Sequence, residues 1–215
     1  MTTAEKEYFC AWAASLLAPP DQKLLRELEQ GEIRSLCEKN IGEWGGDPRF
    51  LQEIFSAKRP EDLLPALQEE HRRLFTDLQG EKISLVESTY KSWTGERGCP
   101  LAFAGAKGLL MGDSALHMGE IFHRLSLEVP DEFRSTPDHL VLEMEFLSLL
   151  YRSATRERIQ GFIEDHLDWI PDLRDRMGQA NFHPFYRNTI ELINLFLLHE
   201  KKEGKPKNHE PQSLH

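Results

Sequence analysis

The sequence predicts an all-α protein. Three observations carry that reading. Apolar residues recur at helical spacing along most of the chain, runs of alternating apolar and polar residues bounded by turns are missing, and the strand-favouring residues Val, Ile and Thr are sparse.

The first segment sets the pattern. Phe9, Trp12, Ala13, Leu16 and Leu17 fall at i, i+3, i+4, i+7 and i+8, which is one helix face, and Pro19-Pro20-Asp21 ends it. Tyr8 to Pro20 is the longest uncharged stretch, short of the roughly 18–20 apolar residues that a membrane span needs. Glu5-Lys6-Glu7 precedes it and is net acidic, where an export signal needs positive charge. The segment therefore reads as the first core helix of a cytoplasmic protein.

Later stripes repeat the helical period. One holds Leu64, Leu67, His71, Leu74, Phe75 and Leu78, and the next Met118, Ile121, Phe122 and Leu125. Leu140, Met144, Leu147 and Tyr151 form another, followed by Ile159, Phe162, Ile163, His166, Leu167 and Ile170. The last runs from Phe185 to His199 through Tyr186, Ile190, Ile193 and Leu197. Between them, Gly42 to Pro48 is turn-rich, Pro60-Glu61-Asp62 suits a helix start, and Gln79 to Pro100 is the least helical stretch. Pro130 and Pro137 bracket another break. Residues 1–199 are thus expected to form a helical domain, as one bundle or as two lobes (about 1–128 and 137–199) joined by a hinge at 129–136. Such a hinge allows a monomer or a domain-swapped homodimer. Residues 200–215 are almost devoid of apolar side chains and are expected to be a disordered tail.

Composition narrows the partners. The 215 residues carry 26 Lys plus Arg against 36 Asp plus Glu, a net charge of −10. Nucleic acid, which needs a cationic face, is disfavoured, and a cationic partner or a solvated acidic surface is favoured. Twelve Phe, four Trp and four Tyr are too many for a chain that is solvated throughout. Cys10, Cys37 and Cys99 are odd in number and widely spaced, so neither a disulfide framework nor a zinc site follows.

Catalytic signatures are missing from the sequence. There is no G-x-G-x-x-G, no G-x-x-x-x-G-K-[ST] and no G-x-S-x-G. Glu120 and His123 make one E-x-x-H, with His117 three residues earlier, whereas a carboxylate-bridged di-iron bundle needs two such pairs and two further Glu residues. A metal-dependent helical-bundle enzyme resting on His117, Glu120 and His123 stays as an alternative, as does a helical adaptor.

The informative stretch is Ser135 to Leu147. Ser135 or Thr136 can cap a helix, Pro137 suits its first turn, and Asp138 lies near its positive end. On such a helix His139 and Glu143 share a face, as do Asp138 and Glu145, beside an apolar stripe of Leu140, Met144 and Leu147. Two readings stand. Asp138 caps while Glu143 and Glu145 form a solvated face, or the acids rim an apolar groove that takes a peptide with basic and apolar parts. A second segment, Leu85 to Trp93, carries polar and aromatic groups in a loop. Tyr90 and Trp93 there either plug the core or stand on a recognition surface.

Together these segments resemble the TorD/DmsD/NarJ family of cytoplasmic chaperones for redox-enzyme maturation. The E-x-x-x-L-F element is Glu70 to Phe75, the E-S-x-Y element is Glu87, Ser88 and Tyr90, and the P-D-H-L-x-x-E-x-E-F element runs from Pro137 to Phe146. His71 stands where the family often has an aromatic residue, and Val86 where it often has Pro. The resemblance implies an all-helical protein without enzymatic activity or cofactor. Its implied partner is the twin-arginine signal peptide, or the apo-form, of a molybdopterin oxidoreductase subunit, held until cofactor insertion and then released. It also implicates Asp138 and His139 in peptide binding, with Glu87, Ser88 and Tyr90 nearby. With the loop aromatic and the two helix acids, the candidate peptide-binding set is Asp138, His139, Glu143, Glu145, Glu87, Ser88, Tyr90 and Trp93, and no metal ligand is expected.

Overall fold

A computed structural model describes residues 1–55, 60–76, 83–179 and 183–204. Ten α-helices occur among them: α1 (Thr3–Leu17), α2 (Gln22–Glu29), α3 (Gly31–Asn40), α4 (Leu51–Ile54), α5 (Pro60–His71), α6 (Asp113–Arg124), α7 (Leu140–Ser153), α8 (Arg156–His166), α9 (Ile170–Gly178) and α10 (Pro184–Gly204). The all-α expectation holds. Among the described residues the sole β-pairing is an isolated antiparallel bridge between Val86 and His139.

Helix α1 starts on a capping box. The Thr2 side chain accepts from the Glu5 amide, and the Glu5 carboxylate accepts from the Thr2 amide, which satisfies two donors that a helix start leaves free. The stripe read from the sequence faces inward: Phe9, Trp12, Ala13, Leu16 and Leu17 are all buried. It packs along α7 and reaches α10, which also contacts α4, α8 and α9. Phe9 lies 4.6 Å from Phe196 and 5.2 Å from Trp44, ring centre to ring centre, and Trp12 stacks on Phe55. One apolar cluster thus joins residues on both sides of the expected hinge, from Phe9 to Leu197.

Helix α7 is buried nearly all round. Leu140, Val141, Leu142, Glu143, Met144, Phe146 and Leu147 are inside, because α1 covers one side, α8 covers another, and the 85–87 segment pairs with the chain at its start. A helix in that position offers little room for a solvated face. Glu145 is the exposed residue of its first two turns.

Two boundaries differ from the sequence reading. Helix α7 begins at Leu140 with His139 as its cap, not at Ser135 or Thr136. Asp138 and His139 are held outside the helix by pairing with the 85–87 segment: the Glu87 amide donates to the Asp138 carbonyl at 3.0 Å and the Leu140 amide to the Leu85 carbonyl at 2.8 Å. At the other end, α10 continues through Gly204 instead of giving way to a tail at residue 200. Glu200 is buried there, paired with Lys6 at 2.7 Å and accepting from the Tyr151 hydroxyl at 2.7 Å. Polar composition hides such a contact, because its partners lie far away in sequence. The remainder of the expected tail (205–215), with Leu78 and Gly80, lies outside the described residues.

Candidate functional site

The candidate residues fall into two separate places. Glu87, Ser88, Asp138 and Glu143 come together inside the protein. His139 and Glu145 stand on a surface groove, and Trp93 belongs to neither.

The interior group begins with the Val86–His139 bridge, which sets Ser88 against Asp138. Asp138 Oδ2 accepts from the Ser88 amide at 2.7 Å and from its hydroxyl at 2.5 Å. Burial pushes the Asp138 carboxyl above its ordinary range, and the Ser88 donors pull the other way. Glu87 pairs with Lys91 Nζ at 2.6 Å and with His166 Nδ1 at 2.9 Å. Burial would raise its carboxyl, but these partners and Glu143 hold it below the usual range. His166 Nε2 in turn meets His117 Nδ1 at 2.8 Å, which carries the chain of polar contacts to the surface. Glu143 stands against Glu87 and accepts one long hydrogen bond, 3.3 Å, from Trp169 Nε1. Burial, with the charges of Glu87 and Asp138, raises its carboxyl well above the usual range. Glu87, Glu143 and His166 each bring a donor atom within 4.8 Å of the others, the one such group among the described residues.

These positions correct the acidic rim. Asp138, Glu143 and Glu87 have no exposed surface, and Ser88 is buried with them. A visiting peptide cannot reach their carboxylates in this conformation. Asp138 does not share a helix face with Glu145, because it precedes the helix. Tyr90 is a core residue as well: its ring lies 4.8 Å from Trp169, its hydroxyl donates to the Ser84 carbonyl at 2.8 Å, and the Arg176 guanidinium lies over its face. Trp93 is half-buried against Phe103 at 5.0 Å. Gly112 closes that loop, since a Cβ there would meet the Trp93 carbonyl at 2.6 Å. The residues of the metal alternative do not converge: His117 turns to His166, while Glu120 pairs with Arg124.

The groove has a volume of about 490 Å³. Leu17 to Pro19 at the end of α1 form one wall, and His71 and Phe75 another. Pro130, Glu132, Phe133 and His139 come from the 130–139 segment, and Val141, Leu142 and Glu145 from α7. A smaller recess of about 170 Å³ adjoins it, lined by Phe122, Leu127, Glu128, Val129 and Phe146, and it shares Leu142 and Glu145 with the groove. The floor is mainly apolar. Glu128, Glu132 and Glu145 stand exposed around it, and none makes an ion pair with a described cation. His139 lies at the edge, its ring 4.8 Å from Phe133 and its Nδ1 accepting from the Val141 amide at 3.2 Å. Burial, with His71 nearby, lowers its pKa to about 4, so it is neutral at pH 7. Sequence reasoning missed Glu128, Glu132 and Phe133. Their signal was present: acids and aromatics interleaved in a Pro-bounded break beside P-D-H-L.

Comparison with known proteins bears on these residues. The model of a family described as nitrate reductase delta subunit matches residues 37–181. That span contains the whole interior group and most of the groove. Two curated relatives, each described as chaperone protein TorD and coming from Vibrio vulnificus strains YJ016 and CMCP6, are 27% identical over 103 residues. The match covers 42% of this chain and 48% of each relative, so the chain spans about half the length of the curated relatives it matches.

Proposed function

The chain belongs to the nitrate reductase delta subunit family, and on that premise we propose that it is a cytoplasmic chaperone for a molybdopterin oxidoreductase subunit. It binds the twin-arginine signal peptide or the apo-form of that subunit, holds it until the cofactor is inserted, and then releases it for assembly or export. It makes and breaks no covalent bond.

The observation that supports this reading best is the groove. An apolar floor of Leu17, Phe75, Phe133, Val141 and Leu142 lies beside the exposed carboxylates of Glu132 and Glu145, with Glu128 at the adjoining recess. A twin-arginine leader combines an apolar stretch with two guanidinium groups, whose planar donors suit carboxylates. Exposed ion pairs contribute only about 0–1 kcal/mol each, so burial of the apolar stretch supplies most of the affinity and the acids set its orientation. Binding of that kind is reversible, as release requires. Among the described residues no helix is long and apolar enough to cross a membrane.

The reading also reassigns the P-D-H-L element. Asp138 acts as a positioning residue: by holding Ser88 it fixes the segment from which His139, Val141 and Leu142 face the groove. Co-purification tests the function. The tagged chain expressed with an apo-subunit of a molybdopterin oxidoreductase should retain that subunit and lose it once the cofactor is inserted. Retention that ignores the cofactor state, or no retention of apo-subunits, would count against the proposal.

A further inference from the structure

The groove leaves the interior group without a role in binding, yet that group is unusual in its own right. Glu87, Glu143 and His166 come from three elements: the turn Glu87–Thr89, α7 and α8. All three side chains are buried, and one donor atom of each lies within 4.8 Å of the other two. Imidazole nitrogen and carboxylate oxygen are the donors that zinc and its divalent neighbours accept, at about 2.0–2.2 Å. Small rotations of the carboxylates toward a common centre would bring them to that distance.

Two further observations point to a ligand. Glu143 Oε1 is fully buried and receives no hydrogen bond from an N–H or hydroxyl of the described residues; its neighbour there is the Glu87 carboxyl, and its other oxygen has only the 3.3 Å contact from Trp169. Lys91 neutralises Glu87 at 2.6 Å but is shared with Asp168, and among the described residues no cation pairs with Glu143. Second, His166 is anchored from its far side. Its Nε2 meets His117 Nδ1 at 2.8 Å, which fixes the ring with Nδ1 facing the carboxylates. An imidazole that ligates a metal is ordinarily oriented in this way through its second nitrogen. His117 is exposed, so the path from solvent to the group is one side chain deep.

We infer that Glu87, Glu143 and His166 bind one divalent transition-metal ion of the zinc class, with His117 as the outer partner that orients His166. The ion fastens the 85–90 segment and α8 to α7 and takes the place of the proton between the Glu87 and Glu143 carboxyls. Three protein ligands leave a fourth position for water. This inference does not depend on the chaperone reading.

The test uses the full chain, stripped with a chelator and titrated with zinc chloride by calorimetry, with metal content measured after gel filtration. One zinc per chain is expected, with a higher melting temperature in the loaded form. Glu143→Gln and His166→Gln should abolish uptake while the helical spectrum is kept, and Glu120→Gln should leave it unchanged. If the buried variants do not fold, His117→Gln decides, because that residue is exposed: it should weaken zinc binding by roughly tenfold or more. No stoichiometric uptake at micromolar zinc, or uptake indifferent to Glu143→Gln, His166→Gln and His117→Gln, overturns the site. Glu143 is then a neutral buried acid hydrogen-bonded to Glu87.

Discussion

Asp138 Oδ2 accepts both the amide and the hydroxyl of Ser88, at 2.7 and 2.5 Å, across 50 residues of sequence. That pair ties the loop before Tyr90 to the start of α7. It makes Asp138 a buried pin behind the groove, while His139 of the same P-D-H-L element stays at its edge.

Asp138→Ala should therefore act first on stability. It orphans two buried donors on Ser88 and should cost about 2–4 kcal/mol in chemical denaturation. Glu145→Ala, at an exposed position, should stay within about 0.5 kcal/mol of wild type. Equal stability of the two variants would remove the positioning role.

His139 supplies a pH dependence. Its folded pKa, about 4, lies below the unfolded value near 6.5, because burial disfavours the charged ring. The folded state thus binds the proton more weakly. The contribution is present above about pH 6.5 and is lost as pH falls through about 4, up to about 3 kcal/mol in all. His139→Asn keeps a capping side chain and removes the titration. Denaturation at pH 7 and pH 4 should show a larger acid loss for wild type than for the variant.

Glu200 fixes the end of α10 to α1 and α7. Glu200→Ala should lower stability by about 2–4 kcal/mol, since it leaves the Tyr151 hydroxyl buried and unpaired. Adding Tyr151→Phe should recover part of that loss, as thermal melts of the single and double variants would show. A chain cut after residue 199 should melt below wild type for the same reason.

Legibility followed the hydrophobic period. The stripe Phe9, Trp12, Ala13, Leu16 and Leu17 in α1, and that of Leu140, Met144, Leu147 and Tyr151 in α7, are buried as spacing predicts. Spacing could not show that α7 is covered on the side of Glu143 too. A carboxylate usually faces water, and only the third dimension brings His166, Trp169 and Glu87 around it. The caps failed at α7 for a related reason. Ser135 and Thr136 are good local caps, but pairing with the 85–87 segment carries the chain past them, so the helix starts at Leu140. Of the acids expected to rim a groove, Glu145 alone is exposed at one, joined by Glu128 and Glu132 from the break that was read only as a hinge.

The central claim is that the groove beside Glu132 and Glu145 receives a cationic, apolar leader. Calorimetric titration of wild type and of Glu132→Gln/Glu145→Gln with one twin-arginine peptide, at low and high salt, tests it directly. The double variant should bind several-fold more weakly at low salt, by up to about tenfold, and the gap should narrow at high salt while stability is unchanged. Equal affinity of the two proteins at low salt would contradict the claim.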